Sequence, residues 1–211
     1  MIRHGETPWN TRGLLQGHAD IELNENGRRL AQITAEKMKD IPFDLAFSSP
    51  LKRAYETAEI VLAGREIPII RDLRLMEISF GEWEGLCCRG DNYNIPGSGF
   101  SKFFMDPFHY VPPKGGETVS QVCERTENFY QELIRNPEYQ DKTILIASHG
   151  CAVRALLHQV YEDKDNFWRS KVPANCSVSI VDVTDGTAKL AEEDKIYYSP
   201  DECKDFYGVK H

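Results

Sequence analysis

A chain of 211 residues, 41% hydrophobic and 27% charged, carries enough apolar material for one ordinary domain and does not have the composition of a disordered or fibrous protein. Its formal net charge of −8 argues against broad binding to nucleic acid or anionic membrane, which requires a basic face, but leaves room for a small anion held by local cations. No apolar run approaches the ~18 residues of a membrane span, and no long apolar segment of a secretory signal opens the chain. A cytoplasmic protein without nucleic-acid or membrane partners is therefore expected; its oligomeric state has no sequence signal.

In chain order, Asn24 is a plausible cap for a helix running to about Lys39, with Leu30, Ile33, Ala35 and Met38 forming an approximate apolar face. Pro42 stops it. Phe43 to Phe47 reads as a short buried strand ending in Ser48-Ser49-Pro50. Leu51 to Leu62 reads as helix and Ile67 to Ile70 as strand. Thr118 with Gln121 forms a capping box for a helix to about Arg135. Thr143 to Ala147 is an apolar strand, followed by Ser148-His149-Gly150 and a helix to about Tyr161. Ser177 to Val183 alternates as a late strand, with Val178, Ile180 and Asp182 on one face. Strands alternating with helices predict an α/β fold. Cys87 to Gly116 differs: it is rich in Gly, Pro and aromatics and has no clear long period. Such an insertion is expected to be a lid, a binding loop or a small helical excursion, its aromatics pinning it to the body or facing a ligand.

The six cysteines, Cys87, Cys88, Cys123, Cys151, Cys176 and Cys203, include no C-x-x-C pair. Adjacent Cys87 and Cys88 suit neither disulfide nor zinc geometry, so all are read as reduced thiols. Asn175-Cys176-Ser177 and Arg89-Gly90-Asp91 match a glycosylation and an adhesion tripeptide; both are read as coincidences.

Three times an apolar strand hands over to a polar turn bearing a cation or histidine. Met1-Ile2 leads to Arg3-His4-Gly5, Leu45-Ala46-Phe47 leads to Ser48-Ser49-Pro50 and on to Arg53, and Leu145-Ile146-Ala147 leads to Ser148-His149-Gly150. Ligand sites of open α/β sheets gather beyond the carboxyl ends of the strands. If these strands are parallel, Arg3, His4, Arg53 and His149 converge on an anion site, with a phosphoryl group the obvious occupant. Spacing alone does not say which histidine would attack.

These residues resemble the histidine phosphatase superfamily, also called phosphoglycerate mutase-like. The resemblance rests on Arg3-His4-Gly5-Glu6-Thr7 with Trp9-Asn10, then Gln16-Gly17, and Ser48-Ser49-Pro50-Leu51 through Arg53-Ala54 to Thr57-Ala58. Glu77 within the run to Gly85, Gly115-Gly116-Glu117-Thr118 and Ser148-His149-Gly150 complete six matches in family order over nearly the whole chain. The resemblance implies a three-layer α/β/α sandwich with a mostly parallel central sheet. It would form one domain over 1–211, with an aromatic-rich lid at about 87–116.

By the same resemblance His4 is the nucleophile and forms a phosphohistidine, a role suited to neutral imidazole provided its other ring nitrogen donates to a fixed acceptor such as a backbone carbonyl. Arg3, Arg53 and His149 would hold the phosphoryl oxygens. Asn10 would add a neutral donor, and Gln16 with Gly17 would line the substrate side. Glu77 is the implied general acid; bound phosphate would favour its protonated form and the two arginines would oppose it. No metal or other cofactor is implied, since the arginines supply the positive charge.

The run from Glu77 to Gly85 lacks the longer segment, with its glutamate-arginine-histidine-tyrosine-glycine type motif, that marks cofactor-dependent mutases of the family. The expectation is a phosphomonoesterase acting on a small phosphate ester; a phosphoglycerate mutase and a silent phospho-ligand binder are the alternatives. The aromatic insertion, with Trp9 and Trp83, would favour a bulky or aromatic ester. Cys151, directly after His149-Gly150 where a helix begins, is a candidate low-pKa thiol, with a buried inert thiol as the alternative. Relatives usually carry four or more apolar residues before the arginine. Met1 and Ile2 alone precede Arg3 here, so the first strand is expected to be short or to lack its beginning, weakening the hold on His4.

Overall fold

The most apolar short runs of the chain pair into a six-stranded sheet in a computed structural model that describes residues 1–202. The strands are β1 (Ile2–Arg3), β2 (Leu45–Ser48), β3 (Ile69–Arg71), β4 (Ile144–Ser148), β5 (Val178–Thr184) and β6 (Thr187–Lys195), in the spatial order β3-β2-β4-β1-β5-β6. The first four run parallel; β5 is antiparallel to β1, and β6 to β5. The α-helices are α1 (Pro8–Arg12), α2 (Glu25–Lys37), α3 (Lys52–Val61), α4 (Lys102–Met105), α5 (Val119–Arg135) and α6 (Gly150–His158).

Strand alternation builds the three layers. Ala46, Leu145 and Ala147 point to one face and pack with Met38, Ala58 and Val61 from the ends and interiors of α2 and α3. Phe47 and Ile146 point to the other and pack with Phe129 of α5 and Leu156 of α6. The sequence-predicted α/β/α sandwich is therefore observed, with element ends displaced by a residue or two. The strand expected from Phe43 starts at Leu45 because the Phe43 amide is spent in a turn on Ile41 O, 3.0 Å away. Both helix caps form as expected: Asn24 accepts from the Gly27 amide at 2.7 Å, and Thr118 exchanges bonds with Gln121, each contributing about 1 kcal/mol.

Two elements had no sequence expectation. Helix α1, five residues long, is too short to show a period; Thr7 caps it and Pro8 sits in its first turn. Strand β6, TAKLAEEDK, is polar and alternates weakly. It forms through a two-residue turn in which Asp185 and Gly186 both have positive φ, 51° and 72°, the mirror-image turn that matches strand twist.

Short 3-10 turns and the single turn of α4 make up the 87–116 insertion. Antiparallel bridges Leu14–Cys87 and Phe80–Gly116 fasten its two ends. Phe100, Phe103 and Tyr110 are buried against Ile78, Phe80, Val119 and Val122. Strand β1 is as short as anticipated, but its neighbours grip it beyond its ends. The His4 amide donates to Ser148 O at 3.0 Å, and Arg3 exchanges backbone bonds with Ser177 O and the Cys176 amide. Gly5 then lies so close to α2 that a Cβ on it would stand 2.6 Å from Gly27 O; only glycine permits that approach. Among the described residues no helix is long and apolar enough to cross a membrane.

Candidate active site

Because β2, β4 and β1 are adjacent and parallel, their carboxyl ends bring the predicted residues to one place. Arg3, His4, Asn10, Gln16, Gly17, Arg53 and Glu77 all line one cavity. His149 stands behind it, its ring centroid 5.1 Å from that of His4.

Nδ1 of His4 lies 2.7 Å from Gly5 O. A carbonyl only accepts, so Nδ1 carries the proton and Nε2 keeps its lone pair. Burial first, then the charges of Arg53 and Arg3, hold the His4 pKa well below the usual histidine value, so the ring is neutral at ordinary pH. The Gly5 amide donates to Thr57 Oγ1 at 3.0 Å, and that hydroxyl donates to Arg53 O at 2.7 Å. The loop that bears His4 is thus tied to α3. His149 is likewise held down, by burial and then by Arg53 and His4, and its Nε2 is 2.8 Å from Ser49 Oγ.

Arg53 is fully buried and spends its terminal nitrogens on Ala19 O and Gly17 O, both at 2.8 Å. Burial lowers its pKa to about 10, which still leaves it cationic. Arg3 reaches across to Pro173 O. Three buried polar atoms of this cluster have no hydrogen-bond partner among the described residues: Arg53 Nε, Asn10 Nδ2 and His149 Nδ1. Unsatisfied buried polar groups are costly and rare. Arg53 Nε and Asn10 Nδ2 are donors from two elements, beside two guanidinium groups, and an oxyanion would satisfy them.

Glu77 faces them from the segment after β3. Its Oε1 accepts from the backbone amides of Ile78, Cys151 and Ala152 at 2.9, 3.1 and 3.2 Å, while Oε2 receives only a longer bond of 3.3 Å from Cys151. The carboxylate therefore sits on the N-terminus of α6. The segment that carries it is clamped by Arg125 of α5, which donates to Arg74 O, Met76 O and Glu77 O and pairs with Glu117.

Residues 1–194 match the model of the histidine phosphatase superfamily, branch 1. The chain belongs to that superfamily. A 2,3-bisphosphoglycerate-dependent phosphoglycerate mutase of Cytophaga hutchinsonii is 36% identical over 162 residues, 74% of each protein. The adenosylcobalamin/alpha-ribazole phosphatase of Escherichia coli is 32% identical over 191 residues, covering 90% of this chain and 92% of that one. Among solved structures, Bacillus stearothermophilus YhfR superposes with a TM-score of 0.84 at 33% identity, over 92% of this chain and 95% of its own. One Arabidopsis thaliana relative, 30% identical over 183 residues, is a longer protein of which the match spans 37%.

The site also draws on residues that sequence reasoning passed over. Asn175, the first residue of the glycosylation tripeptide, is 2% exposed and donates to His4 O at 2.9 Å. Arg89, of the adhesion tripeptide, donates to Asn10 O and Thr11 O at 3.0 Å and braces α1. Arg125, a helix arginine without local signal, joins Glu117 and His18 in the support of Glu77. Burial alone would raise the Glu117 carboxyl, but the contact with His18 and the hydrogen bonds from Arg125 bring it down to about 2.

Of the two readings of Cys151, the buried inert thiol is the one the structure favours. Its position at the start of α6 suggested an activated thiol, but it is 2% exposed, and burial first, then the charge of Glu77, drive its pKa well above the usual thiol value. The amides that would have favoured a thiolate are engaged by Glu77. Cys87, Cys88, Cys123 and Cys151 are free thiols; Cys203 lies outside the described residues. Of the insertion's aromatics, Phe103 and Phe104 reach the cavity. Phe100 and Tyr110 pack on Trp83, and Trp9 lies against Gly85.

Proposed function

We propose that this protein is a phosphomonoesterase that works without a metal, through a phosphohistidine on His4, with Glu77 as the acid. Nε2 of His4 attacks phosphorus and the bond to the ester oxygen breaks, Glu77 giving that oxygen its proton. Water then yields a proton to Glu77 and attacks the phosphohistidine; the P–N bond breaks and inorganic phosphate leaves. Oε2 is the oxygen suited to carry the proton, because Oε1 already takes three amides. Arg3, Arg53, Asn10 and His149 hold the phosphoryl oxygens, and Gln16 with Gly17 lines the substrate side. Positioned charge of this kind is the main contribution to phosphoryl transfer.

The observation that carries the reading is the 2.7 Å contact from His4 Nδ1 to Gly5 O, which leaves Nε2 unprotonated in a cluster that holds the unpartnered donors Arg53 Nε and Asn10 Nδ2. The mutase reading draws on the Cytophaga relative; the uninterrupted run from Glu77 to Gly85 favours hydrolysis. Turnover of p-nitrophenyl phosphate is expected in the parent and is expected to fall by several orders of magnitude in His4→Ala. A parent inert on this ester, yet active as a bisphosphoglycerate-dependent mutase, would overturn the proposal.

A further inference from the structure

The cavity has two unlike walls. Its floor is the phosphoryl cluster. Its opposite wall is apolar: Leu15, Ile78, Phe80, Phe103, Phe104 and Trp168. The three last rings form a packed set, with centroids 5.0 Å apart for Phe103 and Phe104, 5.0 Å for Phe103 and Trp168, and 5.5 Å for Phe104 and Trp168. Trp168 donates its indole N–H to Phe103 O at 2.6 Å, so the tryptophan presents ring surface, not a donor, to whatever lies beside it. That bond also ties the insertion to the loop after α6.

Charge is distributed just as unevenly. Among the described residues lining the cavity, the permanently cationic side chains are Arg3 and Arg53, and both stand at the floor. His18, the residue after Gly17, directs its Nε2 to Glu77 O at 2.9 Å and to Glu117 at 3.6 Å. A carboxylate on the leaving group would therefore meet aromatic faces without a cation of its own, and would lose hydration without an ion pair in return. Gln16 can offer an amide there, but no neutralising charge.

We infer that the preferred substrates are phosphomonoesters whose leaving group is flat or apolar and carries no second charge, the ring lying against Phe104 and Trp168. The inference rests on the phosphomonoesterase reading and narrows it to a substrate class. Offset or edge-on ring contacts of this kind supply the selectivity.

The test compares kcat/KM for 1-naphthyl phosphate with that for 3-phosphoglycerate and O-phosphoserine. The parent is expected to favour the naphthyl ester by about tenfold or more, and Phe104→Ala to cut that ratio by about tenfold. Phe104 is only half-buried, so its truncation spares the core. Met105→Ala, at a neighbouring side chain that is 80% exposed, should leave the ratio as it was. A parent that prefers the carboxylate-bearing esters, or a ratio unmoved by Phe104→Ala, overturns this inference and leaves the phosphatase reading standing. Failure to hydrolyse any of the three, or p-nitrophenyl phosphate, overturns both.

Discussion

Replacing Arg125 with methionine tests how firmly the proposed acid is held. The substitution keeps an apolar stem in place and removes five hydrogen bonds: two to Glu117, and one each to the carbonyls of Arg74, Met76 and Glu77. Glu117 would keep its His18 contact and the Ser79 amide but lose its cation. Breaking a buried ion pair costs about 3–5 kcal/mol. The Arg125 and Glu117 side chains are 18% and 22% exposed, so the lower end applies, about 3 kcal/mol. For a chain of this size that is about 6–12 °C in Tm. The catalytic effect should be selective. Glu77 is needed most where the leaving oxygen is strongly basic, and a displacement near 1 Å costs about 100-fold. Hydrolysis of an alkyl phosphate should therefore fall by about 100-fold, and that of p-nitrophenyl phosphate by less than about tenfold, at a temperature where the variant remains folded. Arg125→Lys, which keeps charge but not the planar fork, should fall between. Equal losses on the two esters would refute the positioning argument and leave Arg125 a purely structural residue.

Two further outcomes follow from the titratable groups. His4 and His149 have lowered pKa values in the folded protein, so below about pH 6.5 the unfolded chain takes up protons that the folded one does not. Their stabilising contribution is thus present above that pH and is lost as pH falls, at roughly 1 kcal/mol per pH unit for each. His18, raised chiefly by its bond to Glu117, acts oppositely, contributing below about 6.5 and losing that contribution as pH rises through its higher folded value; at 39% exposure its share is small. Urea denaturation at pH 7.5, 6.5 and 5.5 should show declining stability, and a flat or rising series would contradict this. Peroxide should inactivate the parent and Cys151→Ser at the same rate, since the buried thiol lacks thiolate character; protection by the serine would restore the redox reading.

The parts legible in the sequence were those whose signal is local. Arg3, His4 and His149 stand at or directly after the end of an apolar strand and Arg53 in the helix that follows one, and parallel pairing of those strands was enough to gather them. What escaped depends on partners far along the chain. The amides that hold Glu77 come from Cys151 and Ala152, more than 70 residues away, and without that engagement in view the two readings of Cys151 could not be separated. Asn175 meets His4 across 171 residues, and its tripeptide pointed to a different chemistry. The Asp185-Gly186 turn was a local signal for β6, but the strand itself is polar enough to be overlooked beside the apolar runs that precede it.

The two glutamates near α5 divide the available donors in a way that bears on mechanism. Glu117 takes the guanidinium of Arg125 and is held as a carboxylate, down to about 2. Glu77 takes only backbone amides in the bonds the described residues make to it, while Arg125 grips its carbonyl oxygen. Had Arg125 paired with the Glu77 carboxylate itself, each proton exchange would have required breaking a charge-assisted bond. By holding the backbone of one glutamate and the side chain of the other, the arginine can fix where the acid stands without fixing its charge. A group that must give up and regain a proton once per turnover requires both of those conditions.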